Sequence, residues 1–518
     1  MKAFADLWRR SPAMAVALAI AILVAFRLVV VIASPLEIGP DEAQYWRWSR
    51  TLDFGYYSKP PLIAWVIWLS TSVFGDSEWA IRFFAPVLHG VTSFFIFLLG
   101  RRMYDARIGA WAAAIYLLMP GVWLSSAVIS TDAVLLVAWA PALYFLWRLR
   151  EKPRLANGAL AGFAIGLGML AKYAALYLFA GAAVAAVFDR DMRKALLSPS
   201  GAVALVVALA TLAPNLIWNA MNNFATVSHT ADNADLAEAG FNPLNVIDYI
   251  GDQMAVFGPL SFLLLLAGFA FIFGRKDPPS TTRELWLLSF MAPVLLVILG
   301  EEILSRAHAN WAAAAYPAGS VLLASWVDRA FGKSLGNFPM GPLVWAGAGL
   351  NAFIGLVFAI LWVAPSIGDQ LGAANAFKRV RGWEQTATEL ADRARQLNAS
   401  ALMFDERENW HGVDYYGRNI PGLPPVRAWI VGDHPRSHAE EAGAMRPGED
   451  RAVLIASQHC EDRPRIRADF EKIEDLGPLS ISLGPKKTRV LKLHLASGYH
   501  PLPRTPEYEK RFSGPCED

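Results

Sequence analysis

The sequence predicts a polytopic α-helical membrane protein with a soluble α/β domain at its C-terminal end. Of its 518 residues, 55% are hydrophobic, 18% are charged and 19 are Trp, and the mean hydropathy is +0.32. Soluble domains are usually less apolar and more charged than this. The formal net charge of +2 lacks the basic excess that nucleic-acid binding requires, so we expect no nucleic-acid partner.

The first apolar run, residues 13–33, follows a short basic stretch. It is about 20 residues long, whereas the apolar part of a secretory signal peptide has roughly 7–15. No convincing cleavage site follows it. We therefore interpret this run as an uncleaved first transmembrane helix.

Ten further apolar runs approach the length of a spanning helix, so the sequence predicts about 11 transmembrane helices. They fall near residues 80–100, 108–126, 133–148, 157–171, 173–188, 201–218, 250–273, 285–300, 311–327 and 340–364. The run 62–75 is shorter and carries Trp65 and Trp68. Such a segment is typical of a helix that lies in the headgroup region without crossing.

Charge alternates between successive loops. Basic residues concentrate at the N-terminus and in loops near 101–107, 148–154, 189–194, 275–283 and 329–333. The intervening loops carry acidic residues, including Asp41, Asp76, Asp235, Glu238 and Glu301. By the positive-inside rule the basic loops and the N-terminus are cytoplasmic. An odd number of spans then places the C-terminal region outside the cytoplasm.

Composition divides the chain into two predicted domains. Residues 1–365 form the transmembrane domain, with a first periplasmic loop at 34–79, and residues 366–518 form a charged, Pro-rich soluble domain. In the soluble part the patterns predict a helix near 383–397 and strands near 401–404, 426–431, 452–457 and 489–494. This mixture indicates a small α/β domain.

Both cysteines of the chain, Cys460 and Cys516, fall in the soluble part. A disulfide is expected to persist in an oxidising compartment, and two separate thiols are equally compatible with the sequence. Whether the two cysteines form a disulfide depends on their distance in the folded protein, and the spacing along the chain does not give that distance.

The first periplasmic loop gathers the residue types that an active site needs. Asp41, Glu42 and Lys59 form a carboxylate pair and a cation among aromatic residues that include Tyr45 and Tyr57. A solvated loop whose Trp and Tyr side chains anchor it at the membrane interface would show the same aromatic content. What favours a site is the recurrence of ionisable residues in other loops of the same face.

Two ionisable residues lie at the outer ends of predicted spans. An ionised carboxylate such as Asp132 costs about 2.5–3.5 kcal/mol at the centre of a membrane helix and less near the interface. Asp132 could simply belong to a helix N-terminus, since Ser130 and Thr131 are also capping residues. Lys172 could simply extend its ammonium to the interface. The sequence therefore leaves a functional role and a purely structural role open for both Asp132 and Lys172.

The segment 301–311 also faces outward, and Arg306, His308 and Asn310 alternate in it before Trp311. We expect Lys59, Lys172, Arg306 and His308 to converge at one membrane depth. Cations there suit a lipid phosphate, which they would bind through charge-assisted hydrogen bonds. A nearby carboxylate would act as a general base on an acceptor hydroxyl, so the pattern favours group transfer from a lipid phosphate.

Several motifs in order resemble the GT-C membrane glycosyltransferases of the protein O-mannosyltransferase and lipid A aminoarabinose transferase type. They are Gly39-Pro40-Asp41-Glu42 with Tyr45, then Gly55-Tyr56-Tyr57-Ser58-Lys59-Pro60-Pro61, then Gly75 with Arg82, then Ser130-Thr131-Asp132, and last Gly166-Leu167-Gly168-Met169-Leu170-Ala171-Lys172. The resemblance covers most of residues 30–330. The soluble part resembles the family only in being a C-terminal domain outside the cytoplasm.

The resemblance implies inverting transfer of a sugar from a polyprenyl-phosphate donor to an envelope acceptor, such as lipopolysaccharide or lipid A, on the periplasmic face of a bacterial inner membrane. It implies that Asp41 is the base and that Lys59 and Lys172 bind phosphate. We assign catalysis to the pair Asp41 and Glu42, and donor-phosphate or substrate binding to Lys59, Lys172, Arg306, His308, Asp132, Tyr45 and Tyr57.

The expected partners are the polyprenyl-phosphate-linked sugar, a lipid or glycan acceptor and membrane lipids. No cofactor and no obligatory metal are predicted, because the sequence has no compact set of ligands. Two alternatives remain. Protein O-mannosylation uses the same chemistry on another acceptor, and a flippase for a lipid-linked sugar is a different class that usually shows internal repeats.

Overall fold

The computed structural model describes residues 2–232, 240–273, 282–305, 307–330, 334–335, 338–446, 448 and 451–512. These residues form two compact units. The membrane unit comprises 1–33, 53–55 and 59–360, and the soluble unit comprises 34–52, 56–58 and 361–518. Several residues with predicted roles lie outside the described ranges, namely Asp235, Glu238, 275–281, Arg306, 331–333 and Cys516. Whether Cys460 pairs with Cys516, which the sequence leaves open, is therefore not decided by the described residues.

Helices make up most of the membrane unit and also surround the sheet strands in the sequence of the soluble unit. In chain order they are α1 (Lys2–Arg10), α2 (Pro12–Ala33), α3 (Pro40–Ser49), α4 (Leu62–Phe74), α5 (Glu78–Arg82), α6 (Phe84–Met103), α7 (Ala106–Leu118), α8 (Pro120–Ala127), α9 (Thr131–Glu151), α10 (Leu155–Ala171), α11 (Leu176–Phe188), α12 (Arg190–Leu196), α13 (Pro199–Met221), α14 (Ala225–Asp232), α15 (Asn245–Phe257), α16 (Pro259–Phe273), α17 (Thr282–Leu304), α18 (Tyr316–Ala330), α19 (Met340–Val363), α20 (Pro365–Gln370), α21 (Trp383–Gln396), α22 (Arg407–Gly417), α23 (His438–Gly443), α24 (Arg463–Ala468) and α25 (Pro506–Arg511). Within the described ranges the 3₁₀ helices are Tyr173–Ala175, Ala309–Ala315 and Ala374–Val380.

The membrane unit confirms the predicted class of helical membrane protein. Among the described residues six helices are long and apolar enough to cross a bilayer, or up to eight if each bent pair counts as one span. Three of the eleven predicted spans coincide with the broken pair α7 and α8 or with the short apolar helices Leu155–Ala171 and Tyr173–Phe188. Such helices fall short of the roughly 20 residues that span the hydrocarbon core without tilt or thinning.

Proline explains the two bent pairs. Pro120 begins α8, which is bent 60° from α7, and Pro259 begins α16, which is bent 115° from α15. Proline lacks the N–H that would continue the helical hydrogen bonds, so a helix breaks at such a residue. The segment 62–75 forms the 13-residue helix α4, and its predicted position in the headgroup region stays a prediction.

Glycines hold α10 against α13. A Cβ on Gly158 would lie 2.0 Å from the carbonyl oxygen of Ser200, and one on Gly162 would lie 2.1 Å from that of Ala204. Small residues at four-residue spacing let two membrane helices approach this closely. The packing fixes the end of α10, directly after which Lys172 stands.

The soluble unit contains a five-stranded sheet. Its strands, numbered after the short pair β1 (Ser334–Leu335) and β2 (Phe338–Pro339) that lies outside this unit, are β3 (Ala401–Phe404), β4 (Val426–Ala428), β5 (Val453–Ser457), β6 (Phe470–Gly484) and β7 (Lys487–Tyr499). The order is β4-β3-β5-β7-β6. β3 is parallel to β4 and β5, whereas β7 is antiparallel to β5 and β6. The predicted α/β character is therefore confirmed.

The core of this sheet consists of side chains that alternate along its central strands. Met403, Ile455, Ala496 and Trp429 are almost fully buried together. The predicted strands at 401–404, 426–431, 452–457 and 489–494 all correspond to observed strands. β6 was not predicted, because this edge strand is interrupted by Gly477 and Pro478, residue types that are rare inside strands.

Residues 34–52 of the predicted first loop pack within the soluble unit. Trp46 of α3 contacts Tyr415 of α22 edge to face, with ring centroids 4.9 Å apart. The Ile38 N–H donates to the Tyr416 hydroxyl at 2.8 Å. The compact soluble unit thus includes a piece of chain that the predicted boundary at residue 365 had assigned to the transmembrane domain.

Candidate active site

Asp41 lies in the first turn of α3. Gly39 is extended and Pro40 begins the helix, an arrangement typical of a helix start because the fixed φ of proline suits the first turn. The Glu37 carboxylate, two residues before Gly39, accepts hydrogen bonds from the backbone N–H groups of Trp383 and Glu384. Burial raises the pKa of Glu37, which these two bonds oppose. The start of α3 is therefore tied to the first turn of α21.

Two arginines face the Asp41 carboxylate. The Arg379 Nη2 lies 3.8 Å from Oδ2, and the Arg407 Nη1 lies 3.5 Å from Oδ1. The side chain of Asp41 is 49% exposed. Both separations exceed the 2.7–2.9 Å of a direct charge-assisted hydrogen bond. Asp41 is thus an accessible carboxylate in a cationic setting.

Glu42 has a different environment from its neighbour. It is buried, and its Oε2 accepts the Gly39 N–H at 2.9 Å, which is the carboxylate half of a capping box at the start of α3. A carboxylate in this position satisfies an otherwise unpaired N–H of the helix. The structure therefore gives Glu42 a contact that orients α3, and by extension Asp41.

The two predicted tyrosines also belong to the soluble unit. Tyr45 is buried and its ring lies 5.4 Å from that of Trp48. The Tyr57 hydroxyl donates to the carbonyl oxygen of Pro435 at 2.7 Å. These contacts hold the segment around α3 in place. Substrate binding by either tyrosine stays a prediction.

Asp132 and Lys172 meet in the membrane unit. The Lys172 Nζ lies 2.8 Å from Asp132 Oδ1, and the Asn310 Nδ2 donates to Asp132 Oδ2 at 2.5 Å. The Asp132 side chain is 13% exposed and that of Lys172 is 20% exposed. Ser130 caps α9 through a bond from the Ala133 N–H, so Asp132 is left to bind Lys172 and Asn310.

Lys59 comes shortly before a helix that packs on the two helices carrying or preceding Asp132 and Lys172. It stands three residues before α4, and α4 packs against both α9 and α10, which lead to Asp132 and Lys172. The predicted convergence of the cations and the direct contact of Lys59 with a phosphate stay predictions.

His308 lines a cavity beside the same cluster. The cavity has a volume of about 620 Å³, and its lining residues are Ile247, Asp248, Gly251, Asp252, Glu302, Ala307, His308 and Ala309. The 3₁₀ helix that begins one residue after His308 packs against α9 and contains Asn310. Arg306 lies outside the described residues, so its predicted role is left as a prediction.

Among the residues that the structure describes, no group of three or more His, Cys, Asp and Glu side chains is arranged to hold a metal ion. The expectation of a reaction without an obligatory metal stays a prediction.

Three arginines escaped the sequence reasoning. Arg379 and Arg407 come from the soluble part and face Asp41, more than 330 positions earlier in the chain, so no local pattern could link them. Arg27 lies in α2, is 2% exposed, and donates to the Leu117 carbonyl at 2.5 Å and to Ser126 at 3.0 Å. A lone arginine in an apolar span is itself a signal of a specific partner.

Comparison with known proteins agrees with this architecture. The family described as dolichyl-phosphate-mannose-protein mannosyltransferase matches residues 58–218. Lipid A galacturonosyltransferase RgtD of Rhizobium johnstonii is 33% identical over 413 residues, which cover 77% of this chain and 84% of that protein. An arabinosyl transferase of Serratia proteamaculans, named for undecaprenyl phosphate-α-4-amino-4-deoxy-L-arabinose, is 30% identical over 33% of this chain and 34% of its own length.

The fold is shared with a solved structure. ArnT from Cupriavidus metallidurans, crystallised with undecaprenyl phosphate, matches with a TM-score of 0.62 and 15% identity over 92% of this chain and 97% of that one. The helical membrane unit and the sheet-containing soluble unit thus define a membrane glycosyltransferase. The chain belongs to the GT-C family of glycosyltransferases that use polyprenyl-phosphate-linked sugars. The resemblance stated from the motifs is confirmed, and the transporter alternative is set aside.

Proposed function

We propose that this enzyme transfers galacturonic acid from a polyprenyl-phosphate donor to lipid A. The observation that carries the proposal is the 33% identity to a lipid A galacturonosyltransferase over 77% of the chain. A second relative from the same organism, 28% identical over 47% of the chain and 47% of its own length, is named a lipopolysaccharide core galacturonosyltransferase. Protein O-mannosylation remains the competing activity, because the matched family carries that description.

Asp41 is the proposed general base. It would take the proton of the acceptor hydroxyl while that oxygen forms a bond to the anomeric carbon of the sugar. The bond from the anomeric carbon to the phosphate oxygen breaks at the same time, and polyprenyl phosphate leaves. This displacement inverts the anomeric configuration. Asp41 suits the role because it is half-exposed, whereas the buried Glu42 already accepts a backbone N–H; we assign Glu42 to positioning.

Lys172 is the proposed partner of the leaving phosphate. Asp132 binds the ammonium of Lys172, and Asn310 donates a hydrogen bond to Asp132. The ammonium is therefore fixed in place before the donor binds. A fixed cation stabilises developing charge on a leaving phosphate more effectively than a mobile one, since nothing has to reorganise during the reaction. Lys59 is the proposed second cation, because α4 packs against α9 and α10.

The cavity beside His308 is a proposed binding site for a saccharide. Its carboxylates, Asp248, Asp252 and Glu302, can accept hydrogen bonds from sugar hydroxyls. Its volume of about 620 Å³ falls within the roughly 300–1,000 Å³ of typical ligand sites.

The proposed reaction takes place on the periplasmic face of a bacterial inner membrane, with the N-terminus in the cytoplasm. Cysteine labelling tests this topology with two exposed positions, one in each predicted compartment. Lys487→Cys at the start of β7 should react with an impermeant thiol reagent in intact spheroplasts, and Lys194→Cys in the basic loop should react only after lysis. The reverse pattern would contradict the proposed orientation.

A reconstituted transfer assay tests the activity itself. Purified enzyme in lipid nanodiscs is given polyprenyl phosphate carrying galacturonic acid, 4-amino-4-deoxyarabinose or mannose, with lipid A or an acceptor peptide. We expect galacturonic acid to appear on lipid A, released together with free polyprenyl phosphate. Transfer of mannose to the peptide alone would replace this proposal with protein O-mannosylation.

A further inference from the structure

Arg379 and Arg407 hold an unusual place beside the proposed base. We propose that these two guanidinium groups bind the carboxylate of the uronic acid that is transferred. This inference rests on the proposed function, because only an acidic sugar brings a carboxylate to the site. It adds a sugar-recognition role to residues that no sequence motif singled out.

Each arginine is anchored at one nitrogen and leaves others available. Arg379 Nη2 contacts Glu408 and lies 3.8 Å from Asp41. Arg407 Nη1 donates to the Gln44 side-chain oxygen at 3.1 Å and lies 3.5 Å from Asp41. A guanidinium has five N–H groups. Within the described part of the chain, the Nε and second Nη of both residues make no hydrogen bond, and they can take a ligand.

Both arginines are accessible but held in position. Their side chains are 53% and 43% exposed. Arg407 opens α22, whose packing on α3 includes the contact of Tyr415 with Trp46, and Arg379 belongs to the 3₁₀ helix Ala374–Val380. The backbone beside Arg379 is fixed as well, since the Val380 carbonyl accepts the Glu37 N–H at 3.1 Å. Anchored side chains lose less conformational entropy on binding than free ones.

The long separations from Asp41 argue against a purely structural ion pair. Pairs that serve only stability gain most at direct contact, and exposed pairs at about 4 Å contribute little. A sugar carboxylate could instead form two parallel hydrogen bonds with a guanidinium, which is the geometry that arginine favours. Such binding would place the sugar ring next to Asp41, where the acceptor oxygen must approach the anomeric carbon.

A carboxylate on the sugar also requires its own partner. Transferring it from water into a protein site without one would be costly. The two arginines, which both belong to the soluble unit, supply that partner. A neutral hexose would gain nothing from the two arginines.

The test compares two donors that differ only at this carboxylate. Full-length wild type, Arg379→Gln, Arg407→Gln and the double variant are assayed with polyprenyl-phosphate galacturonic acid and with polyprenyl-phosphate galactose. Loss of a charge-assisted contact should raise KM for the uronic acid donor about tenfold or more in each single variant. The loss with the galactose donor should be clearly smaller, so the preference for the acidic sugar should fall.

Controls separate this role from a general one. Arg395→Gln is the matched control, because Arg395 pairs with Asp392 on the exposed face of α21 and its loss should leave both donors unaffected. Arg407→Lys, which retains charge without the planar fork, should restore part of the lost preference. Thermal unfolding of each variant checks that the fold is retained.

Three results would overturn the inference. Equal losses with both donors would mean that the arginines serve Asp41 or an acceptor phosphate instead, and unchanged kinetics would mean that they do not bind substrate. Failure of the wild type to transfer galacturonic acid while it transfers another sugar would overturn the proposed function first, and the inference with it.

Discussion

The two units of this enzyme each present an aspartate beside cations, and the two settings differ sharply. Asp132 in the membrane unit is 13% exposed and bonds Lys172 at 2.8 Å and Asn310 at 2.5 Å. Asp41 in the soluble unit is 49% exposed, and its arginine neighbours stand 3.5 and 3.8 Å away.

The difference indicates a division of labour. A largely buried carboxylate with two direct partners is committed to orienting them, because breaking either contact would leave a buried polar group unpaired. A half-exposed carboxylate with distant partners can still accept a proton. Of the two, Asp41 therefore suits proton transfer and Asp132 suits the positioning of Lys172.

The largest expected effect comes from removing the base. Asp41→Asn keeps the shape of the side chain and removes its ability to take a proton, so transfer should fall about 100- to 10,000-fold. Donor binding should be retained, since the proposed phosphate contacts are made by Lys59 and Lys172. Turnover and donor affinity are measured in nanodiscs, with Asp392→Asn on α21 as a matched control. If Asp41→Asn turned over as fast as wild type, the assignment of proton transfer to Asp41 would be wrong.

A smaller effect is expected from the other aspartate. Lys172→Met should weaken donor binding about tenfold or more through the lost contact with phosphate, and Asp132→Asn should weaken it less. In the double variant the losses should be smaller than their sum, because the two side chains share one interaction. Donor titration measures the affinities. Additive losses would mean that Asp132 does not act through Lys172.

Arg27 should affect stability more than chemistry. In Arg27→Met the Leu117 carbonyl and Ser126 lose their donor at the break between α7 and α8. A buried polar group without a partner costs about 1–3 kcal/mol, so the unfolding temperature should drop. Arg9→Met, on exposed α1, is the matched control. A melting temperature equal to wild type would show that Arg27 does not stabilise the break.

The smallest expected effect depends on pH in the soluble unit. A hydrogen bond to Glu406, 2.7 Å away, raises the pKa of His459 to about 9. A histidine with a raised pKa stabilises the folded state fully below its ordinary value of about 6.5 and loses that contribution as pH rises through 9. Glu406→Gln should therefore lower the melting temperature, relative to wild type, more at pH 6 than at pH 9.5. An equal loss at both values, or none, would contradict this pairing, and Glu389→Gln serves as the control.

Much of the architecture could be predicted because local patterns carry it. Apolar runs of spanning length predict α2, α9 and α13, and short β-branched or aliphatic runs predict β3 and β5. The edge strand β6 was missed, since charged residues fill its first half and Gly477 and Pro478 separate them from the alternating residues 479–483.

The candidate site likewise contains residues that local motifs predict and residues that only the fold brings together. Asp41, Lys59 and Lys172 stand in ordered motifs, so sequence alone singles them out. The pairing of Asp132 with Lys172 is 40 positions apart and needs the packing of two helices. Arg379 and Arg407 come from a different part of the chain than the carboxylate they face, and only the folded soluble unit brings them to Asp41.

Mass spectrometry of lipid A tests the central claim most directly. Lipid A is compared between a strain that lacks this protein, the same strain given the wild-type chain, and the same strain given Asp41→Asn. We expect the lipid A species that carries a hexuronic acid to be lost on deletion and restored by the wild type alone. Identical lipid A in all three strains, or restoration by Asp41→Asn, would contradict the account.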